Sequence, residues 1–245
     1  MAPLACVFAH PDDETYSVGG TLARYAALGI HSDIFCATNG DAGKSSGVPV
    51  SSRAELGRLR LTELRAAAQL LGVRDLVAPG HQDGALGQVD ADLLVGEVVE
   101  FLRRSRPTVV LTFGPEGAPT GHRDHRAISR AATAAFHLAG LTTEYPEQVA
   151  RGLPAHAPKR LFYVAWDGME DAGPGRPPRA SVPPTARLHV KEFMPAKAAA
   201  FEAHATQHVH RASFESAAIR EMESYALAAG VAQPRSTIDD MFAGL

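Results

Sequence analysis

A doubly wound, mostly parallel α/β sheet is the fold class this sequence predicts, and three observations predict it. Short apolar runs alternate with helical patterns four times in the first 140 residues, the rhythm of repeated βαβ units. The run T-V-V-L-T-F at 108–113 is β-branched and apolar on both faces, as a central parallel strand is. Polar clusters follow four of the runs, at 10–14, 39–43, 81–84 and 114–125, and right-handed crossovers bring all four to one edge.

Each element has a local cause. Residues 3–9 are an apolar run and read as the first, buried strand. Residues 15–29 continue into a helix. Gly19 and Gly20 near its start allow close backbone approach, and Gly29 is its C-terminal stop. Residues 30–38 (I-H-S-D-I-F-C-A-T) are the second strand, broken by N-G-D-A-G at 39–43. The Ser/Gly-rich stretch 44–52 reads as a loop. A long helix runs from 53 to 71, with Leu56, Leu59, Leu64, Ala67 and Leu71 on one stripe and Gly72 beyond it. Residues 75–78 are a short third strand ending in P-G-H-Q-D-G. A helix over 91–104 stops at Arg106-Pro107. The 108–113 strand feeds a Gly/Pro-rich loop, which delivers His122-Arg123-Asp124-His125 to a helix over 126–138. Beyond 140 the rhythm changes. Strands are expected at 159–166 and 188–190, a surface loop at 167–184, helices at 194–208 and 213–229, and a loosely held tail from 230. Residues 1–140 therefore read as a Rossmann-like core, and 141–245 as a C-terminal α/β cap and tail on the same single domain.

Composition excludes several classes. A length of 245 residues suits one α/β domain, and 45% hydrophobic residues is ample for a core. The net charge of −3, without a basic stripe, argues against a nucleic-acid partner. Arg53, Arg58, Arg60 and Arg65 spread along one helix and read mostly as a solvated face. Cys6 and Cys36 both fall in strands and form no C-x-x-C pair, which suits a reducing, cytoplasmic setting. The N-terminus carries no basic leader, and no run is long and apolar enough to span a bilayer.

The chemistry concentrates at two strand ends. Residues 10–14 (H-P-D-D-E) place four ionisable side chains in five positions, which cannot all be buried without a partner. A divalent metal is the simplest partner, since His offers nitrogen and Asp oxygen. His10, Asp13, His122 and His125 form the candidate set. A catalytic zinc takes three protein ligands and leaves one position open, so only one of His122 and His125 need bind it. Asp12 and Asp13 are adjacent and point apart, so one can hold metal while the other accepts a proton from water.

The segment A-H-P-D-D-E at 9–14 with G-H-R-D-H at 121–125 resembles the PIG-L/LmbE family of zinc-dependent de-N-acetylases. Further matches are T-N-G-D at 38–41, R-L-T-E-L-R-A-A-A-Q-L-L-G at 60–72, the G-x-x-D-G turn at 80–84 and H-A-T-Q at 204–207. The resemblance spans about residues 4–210. It implies a hydrolase that removes acetyl from a 2-acetamido sugar of the N-acetylglucosamine type. It implies one Zn2+ per chain, with Fe2+ the alternative, held by His10, Asp13 and His125. It implies Asp12 as general base, His122 as the group stabilising the oxyanion, and Asp124 as the residue orienting a histidine. Arg60 matches a position that contacts sugar hydroxyls or a polar headgroup, and Asp41 and Glu14 are the other candidate substrate-binding residues. The partner implied is a small N-acetylated sugar, with a homo-oligomer favoured.

Two departures bear on specificity. Arg123 stands within H-R-D-H where the family usually has H-P-D-H. Thr120 stands where the mycothiol branch has tyrosine. His81 and Asp83 are expected at the pocket rim or as plain turn chemistry, and His204 and Gln207 as structural residues. Two rivals remain. One is an amidase of the same fold acting on a thiol conjugate or an N-acylated glycopeptide or secondary metabolite. The other is a non-catalytic nucleotide-binding module, although the first βα turn lacks a glycine-rich phosphate cradle.

Overall fold

A computed structural model describes residues 3–166, 181–218, 221–232 and 239–245. One seven-stranded sheet runs through these residues in the order β3-β2-β1-β4-β5-β7-β6. The strands are β1 (Leu4–Phe8), β2 (Ser32–Cys36), β3 (Asp75–Val77), β4 (Val109–Phe113), β5 (Arg160–Ala165), β6 (Ala186–His189) and β7 (Met222–Gly230). The first five are parallel, and β7 runs antiparallel between β5 and β6. The helices are α1 (Asp13–Ala27), α2 (Arg53–Leu70), α3 (Ala91–Ser105), α4 (Arg123–Leu138), α5 (Pro146–Ala150), α6 (Met194–Ala203) and α7 (Arg211–Ala218).

Burial explains the strand composition. Every residue of β1, β2 and β4 is buried, because helices cover both faces of the parallel part. Cys6 and Cys36 sit there as free, buried thiols. The glycines of α1 are packing residues. A Cβ on Gly20 would lie 2.6 Å from the Val190 side chain, and one on Gly19 3.1 Å from Lys197. The caps follow the sequence: Ser52 accepts the Glu55 N–H and Asp90 the Leu93 N–H. Among the described residues, no helix is long and apolar enough to cross a membrane.

Three expectations for the second half need correction. The stretch 213–229 is not one helix: α7 stops at Ala218, and Met222–Gly230 is a strand. Its Ala, Leu and Met residues favour a helix, but the slot between β5 and β6 offers backbone partners on both sides, and only an extended chain satisfies them. The helix expected over 194–208 ends at Ala203. His204 leaves helical geometry (φ −85°, ψ 59°), and Ala205–His210 wind as a tighter 3₁₀ turn. The tail is not loosely held where it is described. Met241 is fully buried, its N–H donates to the Tyr25 hydroxyl, and its carbonyl accepts from Arg160. The surface loop expected at 167–184 falls largely outside the described residues.

Candidate metal centre

The strand order reverses direction between β1 and β4: the chain builds outward to β3 on one side and to β5 on the other. In open α/β sheets, ligands bind outside the carboxyl ends of the strands at such a switch point. The loop leaving β1 carries residues 9–13, and the loop leaving β4 leads into α4 at Arg123. The two segments, more than a hundred positions apart in sequence, meet there.

Three donors converge. His10 Nδ1 lies 3.3 Å from His125 Nε2. Asp13 is the third corner of a triangle of side chains and meets each histidine with a different oxygen, Oδ1 3.3 Å from His125 Nε2 and Oδ2 3.5 Å from His10 Nδ1. A tetrahedral zinc with bonds of about 2.0–2.1 Å needs donors about 3.3 Å apart, so the residues present fit that ion. Asp13 is fixed by the backbone N–H groups of Ala9 (3.2 Å) and His10 (2.8 Å), which donate to its Oδ2. His125 is fixed by its ring, which stacks on Phe113 at 4.0 Å between centroids and 9° between planes.

The far edge of the His10 ring meets a second carboxylate group. Nε2 lies 3.1 Å from Asp83 Oδ1 and 3.3 Å from Asp124 Oδ2. Carboxylates only accept, so Nε2 carries the proton there and Nδ1 is left as the free donor, the arrangement that orients a metal-binding histidine. Two groups of side chains here bring ligand atoms close enough together to hold an ion, His10 with His122 and His125, and His10 with Asp83 and Asp124. Asp124 also accepts from the N–H groups of Gly84 (2.6 Å) and Leu86 (3.1 Å), and Asp83 accepts from that of Ala42 (3.2 Å). Burial disfavours charge on Asp124 and Asp83, yet the His10 contact and the N–H donors hold both carboxyls below their ordinary range. Burial likewise opposes charge on His10, but Asp124, Asp13 and Asp83 outweigh it and raise its pKa well above that of a free imidazole.

Asp12 and His122 border the triangle. Asp12 precedes α1 with φ 121°, a conformation an L-residue rarely adopts, and its side chain is 16% exposed. Burial raises its pKa to about 6, against the pull of Arg60. The Arg60 guanidinium lies 3.3 Å from Asp12 Oδ2 and donates to the carbonyls of Gly40 and Pro11. His122 caps α4: its Nδ1 accepts the Asp124 N–H at 3.2 Å, so Nε2 is a donor. Burial, then the neighbouring His10 and His125, lowers its pKa and keeps it neutral. Its ring meets His10 edge-on at 4.7 Å.

The structure therefore brings His10, Asp12, Asp13, His122, Asp124 and His125 together, with Arg60 buried behind Asp12. Asp41 stands off the triangle: it accepts the Asp83 N–H at 3.0 Å and pairs with Arg53 at 3.1 Å. Glu14 is 1% exposed, with both oxygens taken by Thr15, His204 and the Asp12 N–H. Asp83 belongs inside the centre, deeper than a rim position. Its only sequence signal is the turn at the end of β3. His81 turns away to Glu97. Arg123 is exposed at the mouth beside Gly84, where a Cβ would come within 3.1 Å of its guanidinium.

A doubly wound sheet with His and Asp donors gathered at its switch point is an arrangement that could hold a divalent ion. The model of the PIG-L family, described as GlcNAc-PI de-N-acetylase, matches residues 5–136. The chain belongs to that family, and it is a hydrolase of the N-deacetylase class. It is 33% identical over 243 residues to 1D-myo-inositol 2-acetamido-2-deoxy-alpha-D-glucopyranoside deacetylase of Rhodococcus jostii, covering 83% of this chain and 81% of that protein. It is 31% identical over 202 residues to a Bacillus anthracis protein named "Probable N-acetyl-alpha-D-glucosaminyl L-malate deacetylase 2", covering 82% and 79%. Among solved structures, N,N'-diacetylchitobiose deacetylase from Pyrococcus horikoshii superposes with a TM-score of 0.76 at 19% identity, covering 93% of this chain and 84% of that one. At that identity the likeness speaks for the fold alone.

Proposed function

We propose that the protein removes the acetyl group from an N-acetylglucosamine-type sugar, with zinc held by His10, Asp13 and His125. The observation that carries this reading is the convergence of three side chains, with His10 Nδ1 3.3 Å from His125 Nε2 and the two Asp13 oxygens 3.3 Å from His125 and 3.5 Å from His10, separations of the size one tetrahedral ion requires. The relatives named for deacetylating glucosaminyl-inositol and glucosaminyl-malate substrates support the sugar class. The buried, unpaired Cys6 and Cys36 fit a cytoplasmic enzyme.

When bound, zinc would polarise the amide carbonyl and acidify a water. Asp124 and Asp83 hold His10 so that Nδ1 faces the centre. Asp12 keeps part of its carboxylate open to solvent, and with a pKa near 6 it can take a proton from the attacking water at neutral pH. Water adds to the carbonyl carbon, and the neutral His122 donates its Nε2–H to the oxygen as charge builds there. Asp12 passes its proton to the nitrogen, the C–N bond breaks, and acetate and the free amine leave. Arg60 orients Asp12 from behind, while Asp41, through Arg53 and the 83–84 turn, shapes the mouth beside Arg123.

The test is release of amine from N-acetylglucosamine glycosides by the zinc-loaded protein. Asp12→Asn is expected to lower kcat by at least about 100-fold while zinc stays near one per chain. Undiminished turnover in that variant would remove Asp12 from the mechanism.

A further inference from the structure

The segment His204–Gln207 plays no part in the chemistry above, yet its contacts run straight to it. His204 is fully buried, and its Nε2 donates to Glu14 Oε1 at 2.7 Å. The other Glu14 oxygen accepts the backbone N–H of Asp12 at 3.0 Å. That peptide is the one held at φ 121°, a conformation that persists only where surroundings enforce it. Two residues on, the Thr206 N–H and hydroxyl both donate to the Glu63 carboxylate, at 2.9 and 2.6 Å. Glu63 lies on α2 three positions after Arg60, which grips the Asp12 carboxylate. Gln207 then donates to the Lys44 carbonyl at 3.0 Å, and the Ser46 N–H donates to the Thr206 carbonyl at 2.9 Å.

Three residues of this four-residue segment, His204, Thr206 and Gln207, thus fasten three separate parts of the site: the start of α1, the helix bearing Arg60, and the loop leaving β2. We propose that His204–Gln207 is a brace for the general base, and that His204 is a positioning residue acting on Asp12 through Glu14. This rests on the deacetylase reading above. A free peptide at residue 12 relaxes toward ordinary backbone angles and swings the carboxylate off its line to the water. The metal donors are untouched by that motion, because Asp13 is held by the Ala9 and His10 N–H groups instead. The Gln207 end acts on the 40–48 loop, and its effect falls on substrate affinity.

The experiment compares wild type, His204→Leu, His204→Gln and Gln207→Leu as zinc-loaded proteins, with methyl N-acetylglucosaminide as substrate. His204→Leu is expected to lower kcat by about tenfold or more, with KM within about twofold and zinc still near one per chain. His204→Gln, whose amide can still donate to Glu14, recovers kcat to within about threefold of wild type. Gln207→Leu raises KM and spares kcat. Amide exchange by NMR reads the brace without turnover: the Asp12 N–H exchanges at least about tenfold faster in His204→Leu. Should that variant not fold, His204→Asn, polar but too short to reach Glu14, takes its place. Unchanged kcat and exchange in the Leu or Asn variant, or a parallel loss of kcat, affinity and zinc that Gln does not repair, would overturn the brace. If wild type leaves every acetamido sugar intact, the deacetylase reading fails, and the exchange measurement still decides the brace.

Discussion

His10 meets partners with both ring nitrogens, and that would make the proposed metal binding a proton exchange. In the metal-free protein the Asp124, Asp13 and Asp83 carboxylates favour its charged form over the desolvation that opposes it. A histidine raised in this way stabilises the fold most below the ordinary imidazole pKa, and that stability is lost as pH rises through its own higher value. A divalent ion takes only the unprotonated Nδ1. Zinc binding at pH 7 is therefore expected to release about one proton from His10, so that the calorimetric enthalpy follows the ionisation heat of the buffer and affinity climbs with pH. A buffer-independent enthalpy would contradict the assignment. At this scale the sequence was informative where residue types are unusual. H-P-D-D-E and H-R-D-H announce themselves, because so many charges in so few positions need an explanation. Asp83 did not stand out, because Asp-Gly is also what any tight turn uses. Its depth depends on β3 pairing with β2, which no local pattern encodes.

Helix α1 carries the motif at its first turn, and elements from the far half of the chain anchor it. Glu223 of β7 accepts the Gly20 and Thr21 N–H groups at 2.9 and 2.8 Å and pairs with Lys197 of α6 at 2.6 Å. Lys197 also donates to the Tyr16 carbonyl at 3.0 Å. Both charged groups are buried, so removing one leaves the other uncompensated. Lys197→Met should cost about 3–5 kcal/mol of stability, read as a lowered urea midpoint, and Lys197→Met with Glu223→Leu should recover part of it. A loss below about 1 kcal/mol, the worth of an exposed pair, would mean the pair is solvated. The βα units before residue 140 were legible because strand and helix periods differ there and glycines punctuate them. Met222–Gly230 was not, because M-E-S-Y-A-L-A-A reads as a helix when taken alone. Only the neighbours β5 and β6 make it a strand.

Across the whole molecule the sheet does not stop at the parallel core. Arg160, at the start of β5, is fully buried and donates to the carbonyls of Val231, Ala232, Met241 and Ala243. One guanidinium thus ties the last described residues to the sheet, and Tyr25 of α1 holds the Met241 N–H at 2.8 Å. Deleting 240–245 strips Arg160 of two acceptors and uncovers Met241's site. It is expected to lower Tm by roughly 5–10 °C without changing zinc stoichiometry; an unchanged melting curve would show the tail to be dispensable. The fold class followed from the alternation of elements, whereas the strand order, and with it the switch point between β1 and β4, rests on long-range pairing that no local pattern encodes. The tail's role was hidden, since a buried arginine meeting main-chain carbonyls leaves no periodic trace.

The position of β7 also sets a timetable. The donors of the triangle are all encoded by residue 125, and the strands that carry them pair among themselves. The anchor at Glu223 comes almost a hundred residues later in the order of synthesis. A growing polypeptide leaving the ribosome thus exposes all three side chains of the triangle before α1 gains its Glu223 anchor, and the strand that brings this anchor also supplies the pairing that joins β6 to the sheet.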